Sequence, residues 1–233
     1  LIADNLASLQ ERITRACERS DRPSSSVRFM AVTKSMPVPV IREAIAEGIT
    51  LFGENRVQEA LAKFAGSQTR EDDKISRNGI ELHMIGALQR NKARHAALFF
   101  DGVQSVDRPE LVDVLGAVRE GKLPVLIEVN STGENSKSGI APRGLPALAD
   151  RIESSAHLQG AGLMTIARYG ANEKELRETF ATMRRLLDGL QSAYGDHWTE
   201  LSMGMSDDFE IAIEEGSTII RLGRALFGER PIR

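Results

Sequence analysis

Residues 29–46 read Phe29-Met30-Ala31-Val32-Thr33-Lys34-Ser35-Met36-Pro37-Val38-Pro39-Val40-Ile41-Arg42-Glu43-Ala44-Ile45-Ala46. A short apolar and β-branched run gives way to a polar, proline-containing turn, and apolar residues then recur at helical spacing over 40–46. This unit repeats to the end of the chain. Strands are expected at 29–33, 50–52, 81–85, 102–106, 124–129, 158–164, 200–203 and 218–222, with helical patterns at 40–46, 57–65, 90–99, 109–119, 145–154, 173–190 and 209–213. Such alternation predicts a parallel sheet, because a parallel crossover must pass over one face of the sheet and a helix satisfies its own backbone on the way. Open doubly wound sheets commonly use about five or six strands, so eight units favour a closed (β/α)8 TIM barrel.

Outward from that repeat, Leu6, Leu9, Ile13, Ala16 and Cys17 fall at helical spacing, and the polar stretch 20–26 with Pro23 breaks the pattern. The reading is a leading helix over 1–22 and a barrel over 29–233, one domain in all. The polar stretch 67–79 reads as a solvated insertion before the third strand. With 41% apolar and 27% charged residues, the composition excludes disorder, collagen and a long coiled coil. Thirty basic against 33 acidic side chains give a net charge of -3 and no overall positive field, which argues against nucleic acid and anionic lipid as partners. Cys17, the one cysteine, cannot form an internal disulfide, and one thiolate is too few for a metal cluster, so a reducing cytoplasm fits best. No apolar run approaches the roughly 18 residues of a membrane helix, and residues 1–22 do not read as a signal peptide.

A barrel of this kind keeps its chemistry at the C-terminal ends of the strands. After the first strand stands Lys34, at the end of an apolar run. Desolvation there would favour the neutral amine and Schiff-base chemistry, whereas the plain alternative is a lysine reaching to solvent. After the second strand, Glu54 and Arg56 are read as capping or surface residues, while Asn55 could cap the next helix or offer its amide to a ligand. His83 shares a face with Ile85 and is read as a satisfied core histidine, since no second ligand shares its spacing. Gln89, Asn91 and Lys92 are rim candidates. In the long loop over 130–139, Lys137 could contact an anion or belong to an exposed loop. The last two strand ends carry the strongest signal, Leu201-Ser202-Met203-Gly204-Met205-Ser206-Asp207-Asp208 and Ile220-Arg221-Leu222-Gly223-Arg224. These are the loops that commonly hold phosphate in this fold. Ser206 can donate a hydroxyl, and Gly223 lets backbone N–H groups approach an anion at the start of a short helix. Asp207 and Asp208 would oppose an anion and are read as the cap of the following helix. Arg221 points into the barrel mouth or its wall, where a buried guanidinium needs an acceptor.

Together, Val32-Thr33-Lys34, Gly53-Glu54-Asn55, the run 83–92, Asn135-Ser136-Lys137-Ser138-Gly139, the run 201–208 and Arg221-Leu222-Gly223 resemble the YggS/PROSC family of pyridoxal-phosphate homeostasis proteins, from about residue 29 to the end. The resemblance implies a barrel similar to the N-terminal domain of alanine racemase, binding pyridoxal 5'-phosphate (PLP). It further implies that Lys34 forms the internal aldimine and that Arg221 faces the pyridine nitrogen. Ser206 with the Gly223 and Arg224 backbone would hold the phosphate, Met205 would add backbone nearby, and Asn55 would lie beside the ring. An arginine does not readily release its proton, so the ring would be a poor electron sink. Two positions depart from the family pattern. Many members have a small hydroxyl residue in place of Arg224, and many have an aromatic residue in place of Arg56. The implied role is PLP homeostasis in the cytoplasm by a monomer or weak dimer, without catalytic residues or a metal, and with PLP-dependent apoenzymes as acceptors. A weak PLP-dependent racemase and a class I aldolase using Lys34 are the alternatives. Racemisation needs proton donors on both faces of the carbanion, and the tyrosines, Tyr169 and Tyr194, lie outside the motifs.

Overall fold

Strands β1 (Arg28–Val32), β2 (Leu51–Glu54), β3 (Glu81–Met84), β4 (Gly102–Val106), β5 (Leu123–Glu128), β6 (Leu158–Met164), β7 (Glu200–Ser202) and β8 (Ile219–Leu222) pair in chain order into a closed parallel barrel. The structure, a computed structural model, describes residues 1–64, 74–134 and 137–228. Closure is seen in the two neighbours of β1: Ala31 stands opposite Phe52 of β2, and Met30 opposite Arg221 of β8. The eight-unit reading is therefore correct, with strand ends displaced by one or two residues.

Helix α1 (Ile2–Arg19) comes first. Helices α2 (Val38–Ala46), α3 (Val57–Phe64), α4 (Arg90–Phe99), α5 (Pro109–Gly116), α6 (Leu145–Glu153), α7 (Glu173–Tyr194) and α8 (Phe209–Glu214) form the crossovers, and α9 (Arg224–Phe227) follows β8. The α7 helix outlasts its expected end at residue 190, because Leu190 and Tyr194 still pack on the core; it stops at Gly195. The α5 helix ends early, at Gly116, which abuts Ser155.

The leading helix completes the outer ring. It buries Ile2, Leu9, Ile13, Ala16 and Cys17 and packs beside α8, α9 and α2. Arg12 and Arg19 reach Glu210 and Glu214 of α8 at 2.7 and 2.6 Å, and the Asn5 amide donates to Leu226 O at 2.8 Å. Cys17 is core, as expected, and burial pushes its thiol up. The part of the 67–79 insertion over 67–73 lies outside the described residues. Its described end is solvated at Ser76, Asn78 and Gly79 but anchored at two points: Ile75 is buried, and Arg77 pairs with Asp101 and stacks on the Phe99 ring.

The apolar interior divides in two. A large core fills the space between sheet and helices, and a small one inside the barrel joins Met30, Leu51, Ile85 and Ile219. Each large side chain so buried contributes about 1.5–3 kcal/mol. Buried polar residues on the strands, His83, Gln104, Ser202 and Arg221 among them, set up the site.

Candidate functional site

The β1 end is held from outside the barrel. Lys63 of α3 is buried, and its ammonium donates to Thr33 O at 2.7 Å, Glu54 Oε1 at 2.8 Å and Glu59 Oε1 at 2.7 Å. Glu59 Oε1 also accepts the Ser35 N–H at 2.5 Å, and Thr33 Oγ1 donates to Glu54 Oε1 at 2.7 Å. The backbone on both sides of half-buried Lys34 is thus tied to one ion cluster, and Ser35 is held at φ 64°, a left-handed conformation that costs a non-glycine residue energy. One ammonium serves two carboxylates. Burial raises the Glu54 carboxyl despite Lys63 and Thr33, and its Oε2 has no partner. At Glu59 burial is outweighed by Lys63 and the Ser35 N–H, which hold the carboxyl below its ordinary range. Glu54 is therefore neither a cap nor a surface residue but a fully buried strand residue; Arg56 is exposed.

Asn55 follows β2. Val32 is paired with Gly53, so two residues further along each chain stand Lys34 and Asn55. Asn55 Oδ1 is buried without a partner. Gly86 presses on its backbone: a Cβ there would lie 2.3 Å from Asn55 O, so only glycine permits that close exit from β3.

Arg221 stands at the other side of the β1–β8 seam, 4% exposed. Its Nη1 donates to Ser202 O and Ser202 Oγ, each at 2.7 Å, and its Nη2 to Thr165 O at 2.8 Å. All three are neutral acceptors. Burial lowers its pKa to about 10, against the more distant charges of Asp208 and Glu128. Glu128, at the end of β5, is pushed up to about 7 by burial and by Asp107, with Arg221 acting in the opposite sense.

The loops after β7 and β8 meet where Ser206 Oγ accepts the Ala225 N–H at 3.1 Å. Gly223 caps α9 and abuts the end of β1, where a Cβ would come 3.5 Å from Val32 O. The Met205 N–H donates to Asp208 Oδ1 at 2.6 Å, while the Met205 side chain is exposed. Asp208 occupies the N-cap position of α8 but turns its carboxylate back to Met205 without capping the helix. Asp207 does not cap either; it pairs with exposed Arg224.

Lys34, Asn55, Ser206, Arg221, Gly223 and Arg224 thus share the C-terminal end of the barrel. Gln89 and Asn91 are exposed at the start of α4. Lys137 pairs with Glu134 at 2.7 Å and donates to Ile166 O at 3.4 Å, in a loop organised by the Asn130 side chain; Asn135 and Ser136 lie outside the described residues. His83 is a satisfied core residue, bonded to Glu81 and Gln104. Tyr169 is 94% exposed. Tyr194 ends α7, where its hydroxyl donates to Asp150 Oδ1 at 2.6 Å, which pushes its pKa up to about 12. Among the described residues no group of His, Cys, Asp and Glu could hold a metal ion.

Lys63 and Glu59 escaped the sequence reading. The signal was present: Lys63 is three residues from Ala60 and six from Val57, on the buried face of α3, with Glu59 at i−4. Gln104 and Ser202 escaped as well, although each is a polar residue inside a strand.

The chain is a closed βα barrel, and the family model for the alanine racemase N-terminal domain matches residues 5–231. Alanine racemase of Corynebacterium glutamicum shares the fold with a TM-score of 0.70 at 18% identity, covering 99% of this chain and 61% of that one. A pyridoxal phosphate homeostasis protein of Pseudomonas aeruginosa is 41% identical over 232 residues, 98% of this chain and 96% of the relative. PipY of Synechococcus elongatus, solved with PLP bound, is 37% identical with a TM-score of 0.78, covering 98% of this chain and 100% of that one. The chain belongs to the alanine racemase N-terminal domain family and, within it, to the pyridoxal phosphate homeostasis proteins.

Proposed function

We propose that this protein binds PLP at the C-terminal mouth of its barrel and maintains PLP homeostasis by holding the cofactor through Lys34, with little or no catalysis of its own. The observation that carries the reading is the pairing of Lys34, clamped by its flanking peptides, with Arg221, a buried cation whose hydrogen-bond partners are all neutral. A buried charge so placed favours a ligand that brings an acceptor or an anion.

The residues present fit the group. Asn55 Oδ1 is a buried acceptor with no partner of its own. Ser206 Oγ, which accepts from Ala225, keeps its own proton to donate to a phosphate oxygen, and Gly223, Arg224 and Met205 border the same two loops. When bound, PLP supplies an electrophilic aldehyde carbon conjugated to a pyridine ring. Lys34 supplies the amine for that carbon. Arg221 would serve as a donor to the ring nitrogen and keep its proton, because even a pKa lowered to about 10 leaves it cationic at neutral pH. The site is one-sided for proton transfer, since Tyr194 is engaged with Asp150 at the far end of α7 and Tyr169 points to solvent. That favours holding over racemisation.

The protein acts in the cytoplasm as one barrel domain, a monomer or weak dimer, and passes PLP to PLP-dependent apoenzymes. Among the described residues no helix is long and apolar enough to cross a membrane. The test is spectroscopic. Wild type mixed with PLP gains a visible absorption band distinct from that of free PLP, and Lys34→Ala does not. A band that persists unchanged in Lys34→Ala refutes the assignment.

A further inference from the structure

A continuous chain of hydrogen bonds crosses the barrel interior from its N-terminal floor to Arg221. At the floor, Arg28 pairs with Glu81 and lies 3.6 Å from Glu200. Glu81 Oε1 is 2.7 Å from His83 Nε2, and His83 Nδ1 is 2.9 Å from Gln104 Nε2. Gln104 Oε1 accepts from Ser202 Oγ at 2.7 Å, and Ser202 Oγ accepts from Arg221 Nη1 at 2.7 Å. The Gln104–Ser202 bond joins β4 to β7, which are not neighbours in the sheet, so it passes through the lumen. The His83 ring lies over Gly102, where a Cβ would come within 2.8 Å of Cε1; glycine leaves the ring its place. Gln104 and Ser202 are fully buried and His83 is 4% exposed.

The chain has one polarity. Glu81 is held ionised by its bond to His83, against burial and with help from Arg28, so His83 presents Nε2–H to it; in the neutral imidazole Nδ1 is then the acceptor, and it faces Gln104 Nε2. Gln104 must then turn its NH2 toward His83 and its carbonyl toward Ser202. The Ser202 hydroxyl proton is thereby committed to Gln104, and only lone pairs face the guanidinium. An arginine can only donate, so this is the one Ser202 orientation that fits it. Were Nδ1 protonated, Gln104 would turn over, and the Ser202 hydroxyl would receive donors from both sides and lose the acceptor of its own proton.

We infer that His83 and Gln104 are positioning residues for Arg221, setting through Ser202 the orientation in which the guanidinium meets the bound ligand. Buried neutral networks are retained where they specify an arrangement, because an interrupted one is costly. The inference rests on the PLP reading above, in which Arg221 meets the cofactor ring.

Two measurements test it. In the ligand-free 15N-labelled protein, two-bond 1H–15N correlation at mildly alkaline pH assigns His83 as the Nε2–H tautomer; an Nδ1–H tautomer overturns the polarity. In PLP titrations, Gln104→Met and Ser202→Ala shift the absorption maximum of the bound chromophore and weaken affinity about tenfold, the worth of a hydrogen bond to a charged group. A wild-type spectrum and affinity in both Gln104→Met and Ser202→Ala overturns the inference while leaving the PLP reading intact. Absence of any bound chromophore in wild type refutes the PLP reading itself. If Gln104→Met does not fold, Ser202→Ala, which removes one hydroxyl, decides alone.

Discussion

Lys34 and Arg221 stand at the same end of the barrel and are held by opposite means. The lysine is fixed from outside, by the charged cluster of Lys63, Glu54 and Glu59 between β2 and α3. The arginine is fixed from inside, by neutral groups of Ser202 and Thr165. Burying ions costs several kcal/mol each, so an ion cluster is a poor way to gain stability and a good way to pin a chain segment that must not move. A neutral network costs less and leaves the cation it holds with charge to spare for a ligand. The difference teaches which residue needs position alone and which needs position and charge.

Breaking the outer cluster should have the larger effect. Lys63→Met leaves Glu54 buried without its ammonium, and the expected loss is about 3–5 kcal/mol of folding stability, read by urea denaturation. Adding Glu54→Gln should recover most of that loss; a double variant as unstable as the single one would show that charge is not the cause.

Glu128 comes next, because it sits near Arg221 without belonging to the neutral network. Its folded pKa is raised to about 7 from 4.5, so the folded state keeps a proton that the unfolded state has lost. The contribution of Glu128 to stability therefore falls as pH rises from about 4.5 through about 7, by up to about 3 kcal/mol, and is level outside that window. Glu128→Gln should remove this component from urea midpoints taken across pH; an unchanged slope would place its origin elsewhere.

Smaller still is the loss of Glu59, whose Oε1 accepts from both the Ser35 N–H and the Lys63 ammonium. Glu59→Ala should cost about 2 kcal/mol and slow the loading of PLP onto Lys34, monitored by the growth of the visible band. The smallest effect is expected at the surface pair of Arg224 and Asp207, which are 55% and 70% exposed. Arg224→Ser should change stability by less than about 1 kcal/mol. A loss of PLP affinity in that variant, at unchanged stability, would assign the guanidinium to the phosphate.

The two regions also differ in how far they could be read from sequence. The strands over 102–106 and 158–164 match the expected ranges, the first of them bounded directly by Asp101 and Asp107. The Arg221 motif was legible because a lone charge between Ile220 and Leu222 in a strand demands an explanation. Its partners were not, since Thr165, Ser202 and Arg221 lie 19 to 56 residues apart and only barrel closure brings them together. The Lys34 position was legible as a strand end, but Glu54 passed for a helix cap, because a carboxylate at a strand-to-helix turn commonly is one. Its burial follows from Lys63, whose place on the apolar face of α3 was the missed clue.

The central claim is that Lys34 carries the cofactor. Wild-type protein is incubated with PLP, reduced with borohydride, digested and mapped by mass spectrometry. A single dominant pyridoxyl label on Lys34 is expected. A label spread over surface lysines with Lys34 unmodified would contradict it.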